Sequence, residues 1–506
     1  MLAKIESCTV IGVEAFPVEV EVDLINGLPY VAIVGLPETS VKESKERVKS
    51  AISNSGYKFP QERIVVNLAP ADIKKEGTGY DLPIALGVLT TSGIIDQKVL
   101  SDFLVLGELS LDGRIKAVKG ALPMALLSQK AGLKGVILPK ENEREAAIVK
   151  GIETYSFSHL SNVVSFLNGK SKEPFEINTS EIFKQQNTDV GDFDEIKGQI
   201  HVKRALEVAA AGGHNLLMSG PPGSGKTMLA KRIPSILPSL TFEEAIETTK
   251  IFSVSGLLNG NTSLITERPF RSPHHTISDA GLIGGGSNPK PGEVSLAHNG
   301  VLFLDEFPEF KKSALEVLRQ PIEDQSVTIS RVANSITYPS SFMLVAAMNP
   351  CPCGYYSDPF HGCRCSEKQV RSYRSKISGP LSDRIDIHVE VPTVDYKDLT
   401  KKSDEEPSVK IRERVENARM IQTRRFEEFN IFSNSQMSGK QIRQYCALNS
   451  ESEKLLEMAV TKMGLSARAY NRILKIARTI ADLSEIENIE TEHISEAVQY
   501  RYTERM

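Results

Sequence analysis

The run Asn215-Leu-Leu-Met-Ser-Gly-Pro-Pro-Gly-Ser-Gly-Lys-Thr-Met-Leu-Ala-Lys-Arg-Ile-Pro-Ser-Ile236 decides the fold of the middle of the chain. A short apolar strand ends at Ser219, a glycine-rich turn follows, and Met228 to Ile236 reads as a helix. Gly220-Pro221-Pro222-Gly223-Ser224-Gly225-Lys226-Thr227 satisfies G-x-x-x-x-G-K-[ST] in the strand-turn-helix setting the pattern needs. Glycines let backbone N–H groups approach phosphate oxygens, a lysine neutralises the β and γ phosphates, and a hydroxyl reaches Mg²⁺. Residues Gly220 to Thr227 are therefore expected to bind ATP.

Downstream, Val301-Leu-Phe-Leu-Asp-Glu306 is an apolar strand ending in two carboxylates. Asp305 is suited to Mg²⁺ alongside Thr227, and Glu306 to polarising an attacking water. The strand Phe342 to Met348 delivers Asn349, a neutral amide suited to orienting that water or touching the γ-phosphate. Short apolar strands alternate with helices from Phe193 to about Pro392, which predicts a parallel α/β sheet.

On either side the pattern changes. Residues 1–167 mix β-branched alternation, as in Val18 to Asp23, with helical stretches and predict a separate α/β domain. Residues 168–190 lack periodicity and read as a linker, residues 191–395 form the nucleotide-binding core, and residues 396–506 are helical almost throughout. A chain of 506 residues has room for about three domains. Its formal charge of −4 means that any affinity for nucleic acid must come from local basic patches. No stretch approaches the roughly 18 apolar residues needed to span a bilayer, and Met1 to Cys8 lacks the core of a signal peptide, so the expected location is the cytoplasm.

The order P-loop, Leu304-Asp-Glu306, Asn349, then Gly379-Pro-Leu-Ser-Asp-Arg-Ile-Asp-Ile387 resembles AAA+ ATPases of the magnesium-chelatase clade. Within that clade, Ala209-Ala-Ala-Gly-Gly-His-Asn-Leu-Leu217 and Arg268-Pro-Phe-Arg-Ser-Pro-His-His-Thr276 look most like the YifB/ComM group, bacterial proteins tied to natural transformation. The resemblance implies an AAA+ P-loop core with a C-terminal helical lid. It also implies that Arg384 is an arginine finger reaching a neighbour's ATP and that Arg468 is a second sensor on the lid. A guanidinium matches the spread charge of a transferring phosphoryl group, whereas from the residues alone either arginine reads as a surface ion pair. A finger acting in trans needs a head-to-tail neighbour, and the family implies a homo-hexameric ring.

Two further stretches resemble the proteolytic domain of Lon: Leu106-Gly-Glu-Leu-Ser-Leu-Asp-Gly-Arg-Ile-Lys116 and Gly132-Leu-Lys-Gly-Val-Ile-Leu-Pro-Lys-Glu-Asn-Glu143. The resemblance makes residues 1–167 a Lon-protease-like α+β domain. It places Gly79 where the catalytic serine would sit and Leu122 where the lysine would sit, so the Ser/Lys dyad is missing. Thr78 has no partner base in evidence.

The passage from Thr227 to Asp305 is long for one helix-strand-helix crossing and includes the insertion Asp279 to Gly292. Ser326 to Tyr338 reads as a β-hairpin. In ring motors of the clade such insertions line the pore, and Lys290 and Arg331 are expected to neutralise the backbone of single-stranded or branched DNA there. The competing reading is that both are solvated loop charges. The arginines of Lys410 to Phe426, spaced among acids, read as a solvated helical face.

Cys351-Pro-Cys353 and Cys363-Arg-Cys365 form two C-x-C pairs directly after Asn349, with His361 as a spare ligand. Four thiolates suffice for a closed tetrahedral Zn²⁺ site, and free thiols are the alternative. Taken together, the sequence predicts an ATP- and Mg²⁺-dependent hexameric DNA motor, a branch-migration helicase in recombination or transformation. Its rivals are a chelatase-type motor and a remodeller of protein partners.

Overall fold

A computed structural model describes residues 2–184, 191–258, 262–286, 289–330, 335–356, 358, 361–394, 405–429 and 431–502. The chain divides into two compact units, Met1–Gln185 with Ala245–Ile265, and Gln186–Glu244 with Thr266–Met506.

The first unit is built on a seven-stranded mixed sheet. Its strands are β1 (Leu2–Ile11), β2 (Glu14–Ile25), β3 (Tyr30–Val34), β4 (Arg63–Ala69), β5 (Phe103–Val105), β6 (Gly135–Pro139) and β7 (Glu153–Phe157), in the order β3-β4-β2-β1-β5-β6-β7. Alternation in β2 turns Val18, Val20 and Val22 into the core and leaves Glu19 and Glu21 outside, where Lys4 of β1 meets them at 2.8 and 3.2 Å. The helix Asp81–Thr91 is buried at every position. Burying Asp81 with it is tolerable because Arg47 donates to the carboxylate through Nε (2.6 Å) and Nη2 (2.9 Å), and Leu109 N–H donates at 3.1 Å.

The dyad positions are apolar in space as well as in sequence. Leu122 is fully buried in a cluster with Cys8, Leu104 and Leu106, and a Cβ at Gly79 would lie 3.6 Å from Val118 and 4.0 Å from Leu106. Thr78 Oγ1 donates to the carboxylate of Glu108 rather than to an amine. Residues 245–265 complete this unit: Ile246 packs on that same apolar cluster, and Ser253 Oγ donates to the buried carboxyl of Glu145. Burial pushes the Glu145 pKa up despite hydrogen bonds from Ser253, Leu122 N–H and Asn142.

The second unit carries five parallel strands, β8 (Leu216–Ser219), β9 (Phe270–Arg271), β10 (Val301–Leu304), β11 (Met343–Met348) and β12 (Ile387–Glu390), in the order β9-β10-β11-β8-β12. Strands β10 and β11 are buried along their whole length, as expected of a sheet covered on both faces. The C-terminal part is helical, with Ser408–Arg425, Ser450–Met463, Ala467–Leu483 and Thr491–Tyr502 as its longest helices.

The charged helix Ser408–Arg425 corrects the expectation of a solvated face. Arg419 Nη2 donates to Ala210 O at 3.0 Å and Gln422 Nε2 to Ala211 O at 3.1 Å, meeting carbonyls left over at the end of helix Ile200–Gly212. Arg412 Nε donates to Ser235 O at 2.8 Å near the end of helix Lys226–Ile236. Arg414 pairs with Glu207 and Glu406 at 2.5 and 2.6 Å. Among the described residues no helix is long and apolar enough to cross a membrane.

Candidate nucleotide-binding site

Three strand ends converge at the carboxyl edge of the second sheet, where open α/β sheets bind ligands. Register places Ser219 of β8 beside Met348 of β11, and Leu304 of β10 beside Ala346 of β11. Gly220, Asn349 and Asp305 therefore emerge side by side. Gly220 passes so close to the chain at Val391 that a Cβ there would lie 2.2 Å from Val391 O. Gly223 and Gly225 have φ of +78° and +88°, a region glycine enters without strain, and this turns the loop into the helix Lys226–Ile236.

Lys226 opens that helix with its ammonium folded back over the loop. Nζ donates to Gly220 O (2.7 Å) and Pro221 O (2.9 Å), and lies 3.3 Å from Asn349 Oδ1. Burial pulls its pKa down to about 8, with Asp305 opposing the shift. Thr227 Oγ1 donates to Asp305 Oδ2 at 2.7 Å. A hydroxyl and a carboxylate side by side form the hard-oxygen donor pair that suits Mg²⁺, and an ammonium with no carboxylate at hydrogen-bond distance among the described residues suits a phosphate. The residues thus fit the nucleotide and ion that the P-loop implies.

Glu306 takes a left-handed backbone conformation, φ +52°, and its side chain meets His275. His275 Nδ1 lies 3.0 Å from Glu306 Oε2, and the His275 ring packs on His274 and Phe310. Sequence reasoning assigned no role to His275. The signal available was Pro273-His-His-Thr276, placed between two strands of the sheet. Gln199 was also missed: its amide donates to Ser224 O (2.9 Å) and Pro392 O (3.0 Å) and so steadies the loop from outside.

Arg384 lies just before β12 with its guanidinium buried, paired with Glu323 at 2.7 Å and donating to Pro380 O at 2.6 Å. Arg468 is exposed in the first turn of helix Ala467–Leu483, whose cap is Ser466, with Oγ accepting from Ala469 N–H at 3.2 Å. One turn on, Arg472 reaches the sheet and meets Asp386 at 2.5 Å. Burial would raise the Asp386 carboxyl, but Arg472, His214 and Lys475 hold it well below the usual carboxylate range.

Lys290 is exposed on a two-residue strand, Lys290–Pro291, paired with Gly284–Gly285. The expected hairpin forms from Ser326–Ser330 and Ser335–Pro339, while Arg331 lies outside the described residues. Tyr338 Oη donates to Pro289 O at 2.7 Å, so the two insertions meet. The sulfurs of Cys351, Cys353, Cys363 and Cys365 come together within 4.8 Å of one another. His361 instead faces Asp358 at 3.3 Å and the ring of Tyr355.

Comparison with known proteins agrees with this architecture along the chain. The family described as magnesium chelatase, subunit ChlI, matches residues 192–399, with further ChlI matches at residues 20–142 and, for the C-terminal part, 405–501. The chain is 46% identical over 512 residues to competence protein ComM of Haemophilus influenzae, covering 100% of this chain and 98% of that one. It is 44% identical over 508 residues to the uncharacterized protein YifB of Escherichia coli, with the same coverage of each chain. A stretch of 149 residues, 27% of this chain and 26% of the other, is 33% identical to Lon protease 2 of Bacillus subtilis. The chain belongs to the YifB/ComM family of magnesium-chelatase-like AAA+ proteins.

Proposed function

We propose that this protein is an ATP-driven AAA+ motor that works as a homo-hexameric ring on DNA and drives branch migration. The observation that carries the ATPase part is the convergence of Lys226, Thr227, Asp305 and Asn349 within hydrogen-bond reach at one sheet edge. Bound ATP with Mg²⁺ supplies the phosphoanhydride whose hydrolysis powers the motor. Gly220 to Thr227 wrap the phosphates, Thr227 and Asp305 hold the ion, and Asn349 orients the attacking water. Glu306 takes up the water proton after turning from His275 toward the loop. Arg384 acts on a neighbouring subunit's nucleotide by exchanging Glu323 for phosphate, and Arg468 senses the nucleotide from the lid. The DNA part is supported by the name of the competence relative and by two inserted hairpins that meet near the exposed Lys290.

Lys226 provides a test of nucleotide binding that does not depend on turnover. Its ammonium is charged below about pH 8 and neutral above, so binding phosphates at higher pH requires taking up a proton. Affinity for labelled ATP is expected to fall as pH rises past about 8. Lys226→Arg, whose guanidinium stays charged, should lose that dependence. A flat profile in the wild type would remove the phosphate role.

The decisive experiment is ATP-dependent dissociation of a labelled branched DNA. The wild type is expected to take it apart, and Lys290→Ala with Arg331→Ala to bind DNA more weakly with a salt slope lower by about one to two. ATP turnover that DNA does not stimulate, with every junction intact, would turn the reading toward a chelatase or protein-remodelling motor. An unchanged salt slope in the double variant would take the two hairpins out of the DNA path.

A further inference from the structure

We propose that Cys351, Cys353, Cys363 and Cys365 hold one Zn²⁺ ion, and that this metal fastens the chain between Asn349 and the helix Glu367–Arg374 against the P-loop. The geometry of the sulfurs argues first. Cys351 and Cys353 are 3.3 Å apart, Cys351 and Cys363 3.7 Å, and Cys353 and Cys363 3.6 Å. A tetrahedral zinc with Zn–S of about 2.3 Å has sulfur-to-sulfur edges of about 3.8 Å, whereas a disulfide brings its sulfurs to about 2.05 Å. The separations sit near the metal-site edge, and all four thiols are free. Four thiolates are a soft donor set, which selects zinc over the hard ions served by Thr227 and Asp305. Cys365 N–H donates to Cys363 Sγ at 3.4 Å, the kind of outer hydrogen bond that orients a ligand.

Packing argues next. Among the described residues from Pro352 to Ser366, only Gly354 is buried, and Pro352, Tyr356, His361, Arg364 and Ser366 are exposed. The described part of this stretch has neither regular structure nor an apolar core and needs another source of order, and a metal is one that small modules use. Its two ends are well anchored. Pro350 O accepts from Arg374 Nε at 3.1 Å, and Ser366 with Gln369 makes a capping box on the helix that follows.

The position of the knuckle gives the metal a task. Gly354 lies so tightly on the P-loop that a Cβ there would be 2.5 Å from Pro222 Cδ. Asn349, two residues before Cys351, meets Lys226. One ion thus restrains the segment that touches the phosphate loop on one side and carries the polar amide on the other. The metal site stands apart from the ATPase reading, while its effect on turnover rests on that reading.

Protein prepared under reducing conditions without chelator is expected to contain about one zinc per chain, and Co²⁺ substitution to give the absorption of a tetrahedral thiolate site. Cys363→Ser with Cys365→Ser should lose the metal. Because that variant risks misfolding, the wild type is also stripped with a high-affinity chelator. Stripping is expected to lower labelled-ATP affinity or turnover about 10- to 100-fold, with recovery on adding Zn²⁺. Metal content far below one per chain that added Zn²⁺ does not raise, or iron in its place, would overturn the site. A zinc-bearing protein whose nucleotide binding and turnover ignore stripping would overturn its task. Failure to bind nucleotide with zinc present would count against the ATPase reading instead, and the cobalt spectrum still decides the metal site.

Discussion

Glu306→Gln is expected to lower ATP turnover about 10²- to 10⁴-fold while nucleotide affinity stays close to that of the wild type. The amide keeps the size of the carboxylate but cannot accept a proton from water, so the loss falls on the chemical step. Glu306 is exposed beside His275 rather than buried in the fold, which makes the substitution gentle on stability. Steady-state phosphate release gives the turnover. Affinity needs a labelled nucleotide, since the chain contains no tryptophan. Turnover within a few fold of the wild type would mean that another group activates the water. A matching loss of affinity would mean that Glu306 shapes the pocket instead.

The second large effect is on stability. Asp386→Asn is expected to destabilise the second unit by about 3–5 kcal/mol, because it leaves the Arg472 guanidinium without its buried partner. Asp386 also accepts from Asn215 N–H at 3.2 Å and faces His214 at 3.4 Å, so one carboxylate ties β12, the start of β8 and the helix Ala467–Leu483 together. Its folded pKa lies below the unfolded value, so the stabilisation is present in full above about pH 4 and is lost as pH falls through the folded value. Wild type and variant should therefore melt far apart at neutral pH and converge in acid. Equal melting temperatures at pH 7 would show that the pair contributes nothing net.

The candidate nucleotide site was legible in the sequence because each of its parts is local. A P-loop is a contiguous pattern, and the carboxylates and the amide each close an apolar strand, so the chemistry can be read from neighbours along the chain. The partners of Arg384, Arg472 and Glu306 were not legible. Glu323, Asp386 and His275 lie far from them in sequence, and a lone charge gives no sign of which opposite charge the fold will bring to it. The helix Ser408–Arg425 misled for a related reason. Alternating charge marks a polar face, but the carbonyls that its arginines cover belong to other helices. The cysteine cluster was legible in composition, and only the structure brings the two pairs to a common centre.

Residues 245–265 belong with the first unit although the chain on both sides of them belongs with the second. Neither unit is a continuous stretch of gene, and no single cut yields two whole parts. Transplanting residues 1–167 as a module would strand the Glu145 carboxyl without Ser253 and strip Ile246 from its apolar neighbours. A chimaera of two relatives needs its second junctions at 244/245 and 265/266 as well. Inheritance along this chain is therefore interleaved rather than modular: the second unit's stretch of sequence cannot drift freely, because it carries within it a segment on which the first unit's folding depends.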